Sequence, residues 1–490
     1  MDKKVLAIDF GASSGRAVIG RFDGERITLE EIHRFSNDPV NLGGTLYWDF
    51  LRLFHEVKQS LLKSKQYGQV DSLGVDTWGV DFGLIDKNGR LIENPVHYRD
   101  SRTKGMMEDA FALIPKDCFY AATGNQFMEI NTAFQLMSVQ KNRPELLEQA
   151  DKLLMMPDLF NFFLTGEKVT EQSIASTTQL YDQLGGCWAY RVAERLGIRE
   201  SLFTNIVPAG TKIGTLSHDI RKELDVRDMD VIAVCGHDTQ SAMAAVPAPN
   251  GDFAFLSCGT WSLLGTELDD PLTDENARIN GLTNEVGFGG KISFLKNIIG
   301  LWLLQESRRQ WSREGREVTF ADMEKMAAEA EPFRSYIDPD DPRFVSAGNI
   351  PERVRDFCAD SGQPVPETDG QLLRCIYQSL ALKYRQAVEG LESCTGRRFN
   401  AIYMIGGGIR DKLLCKLTAN ACKRRVIAGP VEATALGNIA VQLIASGDIA
   451  DISQARQIIT ASENVEVYEP DSPMQWEKAY KDLKLIIGGK

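Results

Sequence analysis

The stretch Val5-Leu6-Ala7-Ile8-Asp9-Phe10-Gly11-Ala12-Ser13-Ser14-Gly15-Arg16-Ala17-Val18-Ile19 decides the fold. Its two ends are short apolar runs, and its middle is a turn of Gly, Ala and Ser. The pattern predicts strand, tight turn, strand, with small residues where backbone N–H groups face outward. Such a turn is a nest for an anion, phosphate above all. The design returns half a chain later. Phe253-Ala254-Phe255-Leu256 leads into Ser257-Cys258-Gly259-Thr260-Trp261-Ser262, and Leu263-Leu264-Gly265 follows. Two matched nests predict two similar domains with one polyphosphate in a cleft between them.

At 490 residues the chain exceeds one hydrophobic core and suits two domains. The expected division is residues 1–247, with the first phosphate turn and the acceptor site, and 248–490, which binds nucleotide. Ala245-Val246-Pro247-Ala248-Pro249-Asn250-Gly251 is the expected linker, short and turn-rich. A hydrophobic content of 43% with 25% charged residues is that of a globular protein. No run approaches the ~18 apolar residues of a membrane span. The net charge of −13 argues against nucleic acid and anionic membranes as partners. Nine cysteines without CxxC or His-Cys spacing argue against zinc. The expectation is a cytoplasmic monomer or homodimer, with Cys358 and Cys375 reduced.

Around these turns the sequence alternates strands and helices, which argues for an α/β sheet in each half. Arg16–Phe22 and Ile27–Phe35 flank the hairpin signal Asp23-Gly24. Leu51, Phe54, Val57 and Leu61 mark a helix. Val80–Ile85 reads as one arm of a hairpin turning at Asn88-Gly89. Helices are expected over Thr103–Ile114, Asn131–Asn142 and Pro157–Leu164. In the second half, strand Ala401–Ile405 runs through Gly406-Gly407-Gly408 into helix Lys412–Cys422.

Asp9 ends a buried strand beside the first nest. A carboxylate there suits Mg²⁺ held through water, and equally suits capping its own turn. Arg16 reads as a phosphate partner or a solvated hairpin residue. Gly236-His237-Asp238-Thr239 joins a strand to a small-residue helix, so Asp238 is either a helix cap or a general base for an attacking hydroxyl. Asp76-Thr77-Trp78-Gly79-Val80-Asp81 mixes an aromatic, a close-approach Gly and two carboxylates. That mixture suits a polyol, and equally a twisted hairpin with a buried Trp. Lys296–Gln305 reads as an apolar helix face with Asn297 and Gln305 as its polar exceptions. No GxxxxGK[ST] is present, which disfavours a P-loop.

Together these residues resemble the FGGY carbohydrate kinases, built on the duplicated actin/hexokinase-type (ribonuclease H-like) α/β fold. The resemblance runs from Val5 to about Tyr468. It is most specific at Asp9–Arg16, Ile32–Phe35, Asp76–Phe82, Tyr98–Thr103, Gly236–Thr239, Leu256–Leu264, Leu295–Gln305 and Val426–Asn438. It implies that Ala12, Ser13, Ser14, Gly15, Arg16, Thr260, Gln305 and Gly407 contact ATP. It implies that Gly79, His237, Asp238, Thr239 and Asn297 line the sugar site, with Asp238 as proton acceptor. The implied reaction is Mg²⁺-dependent phosphorylation of L-rhamnulose at its C1 hydroxyl by ATP. L-Fuculose and L-xylulose are the near alternatives, and an actin-like or chaperone ATPase the distant one. Two departures from the pattern are Cys258, where Ser or Gly is expected, and Ile409-Arg410, where polar residues are usual.

Overall fold

A computed structural model of the chain describes residues 2–248, 253–471 and 473–488. The chain forms two compact units, each assembled from three segments. The first takes Met1–Pro249, Leu268–Phe294 and Ala433–Glu463; the second takes Asn250–Glu267, Leu295–Glu432 and Asn464–Lys490. Each unit is therefore discontinuous in sequence, and the first draws segments from both sides of residues 247 and 248. Residues 249–251 of the expected linker lie outside the described residues.

The first unit is built on a six-stranded sheet. Its order is Thr211–Thr215, Asp230–Ala233, Ser72–Thr77, Lys3–Phe10, Ser14–Phe22, Ile27–Ser36. The Asp9 stretch forms the expected hairpin, with Asp9 opposite Arg16 and Phe10 opposite Gly15. Lys3–Phe10 pairs in parallel with Ser72–Thr77, which sets Asp9 beside Asp76. Because strand side chains alternate, Ala7, Asp9, Gly74 and Asp76 share one face while Leu6, Ile8 and Phe10 share the other. Phe10 stacks on Phe160 at 4.4 Å between ring centroids. Phe160 belongs to helix Met156–Thr165, which Gly166 ends in a left-handed conformation, as its sequence position predicts. The Asp76 face is covered by helix Ala433–Ala445, whose Asn438 and Gln442 reach the strands.

In the second unit the strands Trp261–Leu268, Ala254–Cys258, Ala401–Ile405, Arg425–Ala428 and Glu466–Tyr468 lie side by side. Their pairings run antiparallel, parallel, parallel, antiparallel. The first unit repeats that series from Ser14–Phe22 to Thr211–Thr215. The two small-residue turns thus close equivalent hairpins, a duplication of architecture.

Several local expectations are corrected. Helix Phe50–Ser64 buries Phe50, Leu53, Val57 and Leu61, whereas Leu51 is 72% exposed. The turn at Asn88-Gly89 forms as expected, with the Asp86 N–H donating to Arg90 O at 2.9 Å, the Ile92 N–H to Leu84 O at 3.0 Å and Ile85 bridging Leu91, while strand Phe82–Ile85 takes Lys152–Met155 as its longer ladder partner. The helix expected from Thr103 begins at Met106, because Gly105 turns left-handed ahead of it. Lys296 to Ile299 closes strand Ile292–Ile299, and helix Trp302–Arg313 starts only after Gly300. Asn297 is therefore a strand residue. Among the described residues no cysteine forms a disulfide. Among the described residues no helix is long and apolar enough to cross a membrane.

Candidate active site

In the first unit, the Gly11–Ser14 turn is closed by the Gly11 N–H donating to the Ser14 carbonyl at 2.9 Å. Asn37 braces it, its backbone N–H donating to Ser13 O and its Nδ2 to Gly11 O at 2.8 Å. Nothing in the turn itself marks Asn37. Ala12, Ser13 and Ser14 are half-buried. Arg16 Nε donates to Asp9 Oδ2 at 3.0 Å, so this cation stands against the strand-end carboxylate rather than in solvent.

Asp76, fully buried next to Asp9, receives a hydrogen bond from Asn438 Nδ2, while its other oxygen has no partner. Burial, then the Asp9 charge, push its carboxyl well above the ordinary range. Among the described residues no cluster of three or more His, Cys, Asp or Glu forms a ready metal cage. Asp9 nonetheless fits a magnesium ion bound through water, which needs one or two carboxylates and substrate phosphates rather than a full protein cage.

Asp238 opens helix Asp238–Ala244, but His237 occupies the cap position and makes no side-chain cap bond. The Asp238 carboxylate is thus not spent on capping. Its side chain keeps 28% of its surface exposed. Burial pushes its carboxyl up to about 6, with Asp9 adding repulsion and His237 opposing it. The segment ahead of it is fastened at every step. Glu171 accepts from the Gly236 N–H at 2.8 Å, Ser173 Oγ from the His237 N–H at 3.2 Å, and Gly236 O from Thr77 N at 2.8 Å. His237 Nδ1 meets Glu285 Oε2 at 2.8 Å, and its Nε2 lies 3.5 Å from Asp238 Oδ1. Burial is the largest influence and works against the imidazolium, but Glu285, with Asp238 and Glu171 adding to it, raises the ring to about 9. Thr239 Oγ1 donates to Asp238 Oδ1 at 3.2 Å. Gly79 packs against Thr177, whose hydroxyl accepts from the Val80 N–H.

Asp81 does not serve a polyol. It is fully buried and accepts from Trp48 Nε1, Trp78 Nε1, the Tyr98 N–H and Gln135 Nε2, at 2.6, 3.0, 3.1 and 2.9 Å. Its oxygens organise a packed cluster in which the Trp48 and Trp78 rings lie 4.0 Å apart. Asp81→Asn turns an NH₂ group toward donors, and is expected to lower unfolding stability by about 2–4 kcal/mol. Urea unfolding followed by tryptophan fluorescence measures it; a change under about 0.5 kcal/mol would refute this role.

In the second unit, Thr260 Oγ1 donates to Gln305 Oε1 at 3.1 Å, joining two residues expected at the nucleotide. Gly259 O and Thr260 O accept from the Leu301 and Trp302 N–H groups, both at 3.1 Å. Gly408 lies so close to the same turn that a Cβ would fall 2.5 Å from Cys258 Sγ. Burial holds that thiol up to about 12, so Cys258 packs as a small apolar residue. At Gly407 a Cβ would meet nothing within 4 Å, leaving its backbone open. Ile409 is buried, while Arg410 is exposed and pairs with Glu432. Asn297 is half-buried near the end of its strand. Each unit thus assembles its own share of the expected site residues: Asp9, Ala12–Arg16, Gly79 and His237–Thr239 in the first, Thr260, Asn297, Gln305 and Gly407 in the second.

The FGGY family of carbohydrate kinases, N-terminal domain, matches residues 4–245, and its C-terminal domain matches residues 254–446. A rhamnulokinase of Bacteroides thetaiotaomicron is 41% identical over 488 residues, 99% of this chain and 100% of that protein. Rhamnulokinases of Oceanobacillus iheyensis and Bacillus subtilis are 40% and 37% identical, covering 94% and 95% of this chain and 97% and 95% of their own. Among solved structures, a xylulose kinase from Lactobacillus acidophilus superposes with a TM-score of 0.82 at 16% identity, covering 100% of this chain and 99% of its own. A Plasmodium falciparum glycerol kinase crystallised with ADP gives 0.77 at 15% identity, covering 100% and 97%. Those two likenesses concern the fold. With both domain matches in chain order, and the duplicated sheet carrying a hairpin turn in each unit, the chain belongs to the FGGY family of carbohydrate kinases.

Proposed function

We propose that this chain phosphorylates L-rhamnulose at its C1 hydroxyl with ATP, giving L-rhamnulose 1-phosphate and ADP. The observation that carries the substrate is the similarity, over nearly the whole chain, to three rhamnulokinases at 37–41% identity. Asp238 is the base: exposed enough to reach a hydroxyl, it has a carboxyl poised close to working pH. It takes the C1 hydroxyl proton as that oxygen bonds to the γ-phosphorus. The bond from phosphorus to the bridging oxygen breaks, and ADP leaves.

Gly79, His237, Thr239 and Asn297 are assigned to the sugar. Ala12–Arg16, Thr260, Gln305 and Gly407 are assigned to the nucleotide. Backbone N–H groups and small side chains suit polyphosphate, because they approach closely and place partial positive charge along it. Asp9 is the residue that would hold magnesium through water; when bound, the ion offsets negative charge on the phosphates.

The test is ADP release, measured with Mg-ATP and L-rhamnulose, L-fuculose, L-xylulose, D-xylulose or glycerol. A kcat/KM for L-rhamnulose about tenfold or more above the others is expected, since one methyl-sized difference is worth ~1–3 kcal/mol. Preference for another polyol would overturn the sugar while keeping the kinase. No stimulation by any of them, in protein that binds ATP, would overturn both.

A further inference from the structure

Glu285 lies on strand Thr283–Val286, within the segment Leu268–Phe294 by which the chain returns to the first unit. Nothing in the sequence around it marks a site, and it plays no part in the reaction as described so far. Its side chain is 5% exposed, so a carboxylate there demands compensation. Two donors supply it at one oxygen: His237 Nδ1 at 2.8 Å and Gln240 Nε2 at 2.9 Å. Gln240 is itself fixed, because Ser293 Oγ donates to its Oε1 at 2.6 Å. Strand Thr283–Val286 is anchored independently. Asn284 Nδ2 donates to Gly124 O and Leu272 O, its Oδ1 accepts from the Leu272 N–H, and the Val286 N–H donates to Ser176 Oγ. The result is a buried line of side chains, Ser293, Gln240, Glu285 and His237, that ends at the Asp238 carboxylate.

We propose that Glu285 is a positioning residue for phosphoryl transfer: it grips the His237 ring at Nδ1, so that Nε2–H is held toward the Asp238 oxygen that accepts the substrate proton. The proposal rests on the assignment of Asp238 as base and adds what controls it. A carboxylate gripping one ring nitrogen fixes tautomer and orientation of the other, as in any carboxylate–histidine pair that serves a reacting group. Here the grip also keeps a positive charge beside the base. Asp238 otherwise sits among carboxylates, with Asp9 and Asp76 facing it and Arg16 paired with Asp9. Glu171, whose oxygen accepts from Gly236, also faces His237. Without Glu285, burial would drive the imidazole neutral, and Asp238 would hold its proton to higher pH.

The experiment compares wild type, Glu285→Gln and Glu285→Asp in two measurements. Imidazole ¹⁵N NMR of the unliganded protein follows His237, assigned by its loss in His237→Gln. The proposal expects the wild-type ring to stay protonated through pH 8. In Glu285→Gln it should lose its proton below pH 7, with Glu285→Asp between them. A wild-type His237 that is neutral at pH 7 overturns the proposal without recourse to any variant. The second measurement is kcat/KM against pH. The acid limb should move up by about one pH unit in Glu285→Gln, so that activity falls about fivefold at pH 6, approaches a tenfold loss below it, and recovers toward wild type as pH rises. An unmoved limb, or an equal loss at every pH, reduces Glu285 to a structural role and also overturns the proposal. Asp238→Asn separates the two layers. If it keeps its turnover, the base assignment fails, whereas the NMR result still reports on the Glu285–His237 pair alone.

Discussion

Asp238→Asn is expected to lower kcat by about a thousandfold or more while Mg-ATP still binds. A positioned general base contributes ~10²–10⁴-fold. Asn has the shape of Asp and no capacity to take the proton. It also removes the carboxylate that faces His237, so the imidazolium loses one of its stabilising charges. The folded core should tolerate the change, since the Asp238 side chain is partly exposed and Asn keeps its shape. The pH dependence follows from the sign of the shift. Asp238 titrates at about 6, above the ordinary carboxylate value, and only its ionised form accepts a proton. Wild-type kcat/KM should therefore rise with pH through about 6 and level off above it, and Asp238→Asn should lack that limb. Single-turnover kinetics with saturating ATP, paired with calorimetric titration of the nucleotide, make the measurement. Turnover within tenfold of wild type, with the limb intact, would take the base role away from Asp238.

How far the sequence alone led depended on the range of the interaction. The two hairpin turns were legible because strand, small-residue turn and strand are local patterns, and the structure places both where that pattern puts them. Helix Phe50–Ser64 was legible as a helix, but its buried face was not. Leu51 is as apolar as Leu53, and only packing decides which of them turns inward. The run from Lys296 to Gln305 was misread for a related reason. A continuous apolar run fits a strand as well as a helix. Gly300 divides the two, at a point where a Cβ would fall 2.3 Å from Ser262 Oγ. Asp81 shows the limit most clearly. Trp78 is three residues away, but Trp48 and Gln135 lie 33 and 54 positions off, so the donors that consume its carboxylate leave no local trace. Glu285 and Asn37 escaped notice for the same reason.

Gly437→Ala is expected to have the other large effect, although residue 437 is assigned to neither sugar nor nucleotide. Helix Ala433–Ala445 crosses helix Asp238–Ala244 with backbone against backbone. At Gly437 an added Cβ would lie 1.7 Å from the Ser241 carbonyl oxygen and 3.3 Å from Ala244 Cβ. A clash with main chain has no rotamer escape, so one helix must move. On the far side, Asn438 is tied to Gly74 O and Asp76, and Gln442 to Leu6 O, so helix Ala433–Ala445 cannot retreat without giving up buried hydrogen bonds. Helix Asp238–Ala244 is held as well, by Gln240 on Glu285 and Ser241 Oγ on Cys235 O, so the two helices can part only by breaking buried hydrogen bonds, and the base sits on the first residue of this one. Overpacking costs ~1–3 kcal/mol even where side chains can adjust, and the cost here should exceed that range. A displacement of about 1 Å in a reacting group costs ~10²-fold in rate. The variant is therefore expected to lose at least that factor in kcat and to melt well below wild type, or to fail to accumulate as folded protein. Melting temperature and kcat measured side by side settle it. Wild-type values for both would mean that the two helices do not touch at Gly437, and the close crossing that sets the position of Asp238 would have to be abandoned.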